Sequence, residues 1–137
     1  MAQVLPLIAF LFLSLGQMNS KQAIGAMVQR QASAWENANS SAIVRDFAED
    51  AIFIAAGTKF EGKEATKQAA EDYFAQFTDT KVTIKRIIID EFQGAVEWDW
   101  SDRNKKTGQI SQAEDAIIFE LKDSKIVYWR EYIEKKN

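Results

Sequence analysis

The chain has 137 residues, a net charge of −3, 47% apolar residues, four Trp and nine Phe, which is enough for one domain with a sizeable core. It contains no Cys and no His, which excludes disulfides, thiolate chemistry and a Ser-His-Asp triad, and removes the commonest zinc ligands. Acids and bases are interspersed, so neither a basic nucleic-acid surface nor an acidic disordered tail is expected, and any acid–base work must fall to Asp, Glu, Tyr or Lys.

Residues 1–20 form a hydrophobic N-terminal segment. Its continuous apolar run, residues 4–15, would reach roughly 18 Å as a helix, too short for a bilayer core of about 30 Å, so no stable membrane span is expected. The length suits the h-region of a signal peptide, which would make the protein exported, periplasmic or secreted. No Lys or Arg precedes the run and no clear small-x-small cleavage site follows it. An apolar helix lying on a cytoplasmic domain is the alternative.

The domain proper is read as residues 21–137. Ser20 can cap a first helix, along which Ile24, Met27, Val28, Gln31, Ala34, Trp35 and Ala38 recur at helical spacing. A short second helix carries Ile43, Val44 and Phe47. Residues 51–55 form a strand ended by Gly57. A third helix spans residues 63–77, with Ala69, Ala70, Tyr73, Phe74 and Phe77 inward. From residue 81 the period changes to two: strands over 81–92, 95–101, 110–121 and 125–133, turned at Gln93-Gly94, by a charged loop over 102–108, and at residues 122–124. Helices followed by long antiparallel strands predict an α+β fold: a cone-shaped, curved, mostly antiparallel sheet wrapped over three N-terminal helices. The open end of such a cone suits a small molecule.

The last hairpin is the best candidate for chemistry. A three-residue loop over 122–124 pairs Leu121 with Lys125, Phe119 with Val127, Ile117 with Trp129 and Asp115 with Glu131. One face then carries Asp115, Ile117, Phe119, Val127, Trp129 and Glu131, mostly apolar and ending in two carboxyls. The other face carries Ile118, Ile126, Tyr128 and Tyr132, an apolar patch suited to a homodimer. Trp98 and Trp100 share a face of their strand with Val96 and can wall a flat apolar ligand, or simply fill the core. Arg86 is placed on one face with Val82, Ile84 and Ile88, where it can balance Asp115 or turn to an edge.

Four stretches, Met27-Val28-Gln29-Arg30…Trp35, Phe47-Ala48-Glu49-Asp50-Ala51, Phe60-Glu61-Gly62-Lys63-Glu64-Ala65 and Phe119-Glu120-Leu121…Trp129-Arg130-Glu131-Tyr132, resemble the nuclear transport factor two-like superfamily and its SnoaL-like group, over about residues 21–134. The resemblance implies the cystatin-like α+β barrel fold and an apolar pocket, but not one activity, since the superfamily hosts isomerases, cyclases, hydrolases and binding modules. Of the catalytic set of ketosteroid isomerases, the Tyr position is Gln31, the base position is Ala55, and only a later Asp survives, as Asp115. Of the set of limonene-epoxide hydrolases, two positions are Trp98 and Trp100, and only the last acid survives, as Glu131. One carboxyl from each set is therefore kept.

The resulting expectation is a cofactor-free protein without a metal site that binds a small, mainly apolar ligand. Its lining is Trp98, Trp100, Trp129, Phe119, Ile117, Phe53, Gln31 and Tyr73. Two alternatives stand beside it: an isomerase, cyclase or dehydratase using Asp115 and Glu131 as acid and base, or a dimeric assembly module with a vestigial pocket that dimerises through Ile118, Tyr128 and Tyr132.

Overall fold

The computed structural model describes residues 20–136; the apolar run over 4–15 and the export reading attached to it lie outside them. Helix α1 (Ser20–Glu36) buries Ile24, Met27, Val28, Gln31, Ala32, Ala34 and Trp35 along one stripe. Ser20 is already helical. Helix α2 (Ser40–Arg45) is capped by Asn39, whose side chain accepts from the Ala42 N–H at 3.0 Å, a contact worth about 1 kcal/mol. Phe47 opens strand β1 (Phe47–Ala55) instead of closing that helix. Strand β2 (Thr58–Glu61) pairs with β1 and was not expected; its four residues include only one large apolar side chain, Phe60. Helix α3 spans Lys63–Gln76 and buries Thr66 and Ala70, with Tyr73 and Phe74 half-buried.

Four long strands follow: β3 (Phe77–Asp90), β4 (Gln93–Asn104), β5 (Ile110–Lys122) and β6 (Lys125–Lys136). The sheet runs β2-β1-β6-β5-β4-β3. Only β1 and β6 are parallel. The sheet has two edges, β2 and β3, so the cone stays open and the barrel does not close. The helices pack inside it: Trp35 of α1 lies 6.3 Å from Phe53 of β1 and 5.6 Å from Trp100 of β4, ring to ring.

Bulges shape the sheet and correct several expectations. Register shifts in β3 occur between Thr78 and Lys81 and between Ile84 and Arg86; an extra residue bends a strand and flips the side chains beyond it. Arg86 therefore pairs with Glu97 on the outer face, away from Asp115, while Ile87 and Ile89 turn inward. The β3–β4 turn uses Glu91 and Phe92, one pair earlier than expected. Asp102 is not in a loop; it is a buried residue near the end of β4.

The last hairpin turns on two residues, Asp123 and Ser124, both at positive φ (51° and 63°), as the tightest hairpin turns require. Val127 is then bulged out, since Glu120 pairs with Tyr128 but Leu121 with Ile126. Ile126 is consequently a core residue with no exposure, not part of the outer patch. The shorter turn and the bulge together move the pairing by two residues, so face parity is kept. Phe119 now faces Trp129, Ile117 faces Glu131 and Asp115 faces Ile133.

Candidate functional site

On the inner face Asp115 and Glu131 are diagonal neighbours across β5 and β6, two residue pairs apart along the ladder. Asp115 is 4% exposed. The indole N–H of Trp98, its partner on β4, donates to Asp115 Oδ2 at 3.1 Å. Asp115 Oδ1 is buried and has no partner. Burial raises the Asp115 carboxyl to about 6; the Trp98 N–H opposes the rise and the charge of Asp99 adds to it. Glu131 keeps part of its residue surface in solvent, but its carboxyl is surrounded by protein atoms. Burial first, and the Asp115 charge second, push it up to about 8, while the nearby Trp129 N–H pulls the other way. That N–H is itself buried and makes no hydrogen bond of good geometry. The two carboxyls titrate as a coupled pair holding about one proton near neutrality.

Beside them, starting from Trp98 and Trp129, the aromatic rings form a closed circuit. Trp98 lies 6.0 Å from Trp129 and 6.2 Å from Trp100. Trp129 lies 6.4 Å from Phe47, and Phe47 6.2 Å from Phe53. Through Trp35 the circuit returns to Trp100. Phe119 stacks on Trp129 at 5.8 Å. Trp98, Trp129, Ile117 and Phe119 have no exposure. The described pairing of β1 with β6 ends at Arg130, so Glu131 stands where β6 runs on beyond β1.

A second polar cluster sits further along β4, near its end. The Tyr73 hydroxyl donates to Asp102 Oδ2 at 2.6 Å, and the Trp100 indole N–H donates to the same oxygen at 3.0 Å. Thr80 Oγ1 is 3.0 Å from the Tyr73 hydroxyl. Burial, and then the Asp102 carboxylate that the phenol proton serves, raise the Tyr73 pKa well above its ordinary value. That tyrosine is a held donor, not a ready acid. A polar cleft of about 250 Å³, lined by Lys81, Thr83, Asp99, Ser101, Gln112 and Lys136 among others, lies on the opposite face of the sheet. Among the described residues no group of three Asp or Glu is placed to hold a metal ion, and no helix is long and apolar enough to cross a membrane.

A sequence profile of the SnoaL-like domain matches residues 28–129, most of the chain. The chain belongs to the SnoaL-like family. No curated protein matches its sequence. Among solved structures, this SnoaL-like protein is similar to a Catenulispora acidiphila protein of ketosteroid isomerase-like fold in complex with trimethylamine, at 20% identity, covering 77% of this chain and 83% of that one, TM-score 0.72. It is similar to an LEH-like epoxide hydrolase of M. tuberculosis, at 20% identity over 83% of this chain and 84% of that one, TM-score 0.72. A protein named as a SnoaL-like polyketide cyclase from a Jannaschia species aligns at 15% identity over 82% and 85%, TM-score 0.73. At these identities the likeness establishes the nuclear transport factor two-like fold.

Against that fold the expected site residues of the SnoaL-like protein divide into three groups. Asp115, Glu131, Trp98, Trp129, Ile117 and Phe119 come together on β4, β5 and β6. Trp100 and Tyr73 belong to the Asp102 cluster, and Phe53 joins the aromatic circuit from β1. Gln31 is fully buried in α1, where its Nε2 donates to Ile43 O at 2.8 Å and its Oε1 lacks a partner. The sequence reading missed Asp102 and Thr80. The period-two run Val96, Trp98, Trp100 carries on to Asp102, and following it one step further finds that carboxylate.

Proposed function

We propose that this SnoaL-like protein binds a small, mainly apolar ligand in the aromatic interior of its cone, with the ligand's polar group against Asp115 and Glu131. The observation that carries this reading is the pair of buried, unpartnered polar atoms, Asp115 Oδ1 and Trp129 Nε1, beside the carboxyl pair. Each such atom left alone costs about 1–3 kcal/mol, and folded proteins keep few of them unless water or a ligand completes the set. The trimethylamine complex of the Catenulispora relative is a small molecule held by the same fold. Because Trp98, Trp129, Ile117 and Phe119 have no exposure, binding requires an opening, and the edge beside Glu131, where β6 outruns β1, is where one can form.

All four tryptophans, Trp35, Trp98, Trp100 and Trp129, lie in this interior and report on it. Titration with neutral apolar probes of one to three rings should quench their fluorescence saturably, one probe per chain. No saturable change with any of them, nor with their ammonium-bearing counterparts, would sink the reading.

A second reading, acid–base catalysis on an enolisable substrate, is favoured by the split titration of Asp115 and Glu131, one mostly ionised and one mostly protonated near neutrality. Its test is exchange of α-protons in D2O for a panel of cyclic ketones, followed by NMR. Exchange no faster than in the Asp115→Asn variant would exclude it.

The outer face of the hairpin supports a homodimer. Ile118 is 47% and Tyr132 49% exposed, with Tyr128 half-buried and the Arg130 guanidinium 4.7 Å over the Tyr132 ring. Ile118→Glu should turn a sedimenting dimer into a monomer. A wild-type monomer would dismiss this partner.

A further inference from the structure

Asp115 is a carboxylate without a countercharge. No ion pair among the described residues involves Asp115 or Glu131; Lys85 and Lys136, for example, pair with Glu114 on the outer face. Among the described residues the one side-chain hydrogen bond to Asp115 comes from the Trp98 N–H, which occupies Oδ2 and leaves Oδ1 bare. The charged group acting on it, Asp99 from β4, is an acid, and so is Glu131 from β6, on which the Asp115 charge acts. A buried anion is costly unless it is paired. The surrounding surface is made of indole and phenyl rings, whose negative faces attract cations and repel anions. A neutral apolar ligand would fill the space and leave the charge unpaired. An anionic one would meet two acids.

Resting on the pocket reading above, we infer that the ligand is a small alkylammonium, its N–H donating to Asp115 Oδ1 and its carbon skeleton packed against Trp98, Trp129 and Phe119. Trp98 reaches Asp115 Oδ2 through its N–H, its ring packs on Trp129 at 6.0 Å, and Phe119 stacks on Trp129 at 5.8 Å, so aromatic surface adjoins the carboxyl. Burial favours the neutral form of Glu131, which then serves as a hydrogen-bond partner beside the cation. The assignment separates this site from the outer cleft, where Lys81 and Lys136 supply positive charge.

The experiment compares matched probes on the full chain by tryptophan fluorescence and calorimetry at pH 7.5: cyclohexylammonium, tert-butylammonium and 2-phenylethylammonium, each against the neutral alcohol of the same shape. The expected result is that at least one ammonium binds tenfold or more tighter than its alcohol. That preference should vanish in Asp115→Asn and, for wild type, at pH 5, where Asp115 takes up a proton while the amines stay charged. Equal or tighter binding of the alcohols would overturn the inference and leave the pocket reading standing. A preference that survives both Asp115→Asn and pH 5 would overturn it by placing the cation elsewhere. If neither series binds, the inference and the pocket reading fall together. Should Asp115→Asn fail to fold, the wild-type comparison at the two pH values decides alone.

Discussion

Trp98 gives its indole proton to one oxygen of Asp115, at 3.1 Å, and the other oxygen of that carboxyl is buried with nothing to accept from. The indole is thus the main protein group favouring the ionised form of Asp115, against burial and the charge of Asp99.

Trp98→Phe keeps a ring in the core and deletes that proton. The Asp115 titration should move upward from about 6, and stability near neutrality should fall by about 1–3 kcal/mol, the cost of leaving a buried acceptor bare. Carbon-13 NMR of the carboxyls checks the first and urea unfolding the second. An unmoved or lowered midpoint would show that the indole does not set the charge of Asp115.

Both interior carboxyls hold their protons more tightly folded than unfolded, so the folded chain binds more protons between about pH 4 and 8. The stability their neutral forms contribute is fully present below about pH 4. It is lost as pH rises through about 6 for Asp115 and about 8 for Glu131. Glu131→Gln stays neutral throughout, so its melting temperature should gain on that of wild type between pH 5 and 9. Parallel melting curves across that range would contradict the burial of the Glu131 carboxyl.

Tyr73→Phe removes the 2.6 Å hydrogen bond to Asp102 and leaves the ring stacked on Phe77 at 5.1 Å. A lost bond to a charged acceptor costs about 1.5–3 kcal/mol. The urea midpoint should drop with an unchanged slope, and probe binding near Asp115 should survive. Loss of binding with intact folding would join the two clusters into one site.

Gly94→Ala tests how tightly the sheet lies over the aromatic interior. A Cβ on Gly94 would stand 2.4 Å from Ile88 O and 2.6 Å from Phe119 Cζ. The first is backbone and cannot swing aside, so destabilisation of at least about 1–3 kcal/mol is expected, with a shifted tryptophan spectrum because Phe119 stacks on Trp129. A melting temperature equal to wild type would mean that β3 and β4 separate there freely.

Element types and their order were readable because the apolar period changes cleanly from helical to two near residue 80, and because aromatic and β-branched residues fill the strands. The inward faces of β4 and of the final hairpin were readable for the same reason. What the period could not reveal was where a strand gains an extra residue. The bulge before Arg86 sent that side chain outward, and the one at Val127 sent Ile126 inward. Strand β2 is only four residues long and has no repeat to detect. Asp102 was misplaced because a run of polar residues reads as a loop, although hydrogen bonds from Tyr73 of α3 and Trp100 of its own strand hold it inside.

Val127 lies between Ile126, which pairs with Leu121, and Tyr128, which pairs with Glu120, and has no opposite number of its own. It works as a slack link in the hairpin. A one-residue lengthening of the Asp123-Ser124 turn could be absorbed by drawing Val127 back into the ladder, and Asp115, Ile117, Trp129 and Glu131 would stay on the same side. The tip of this hairpin can therefore vary in length while the carboxyls at its far end keep their orientation.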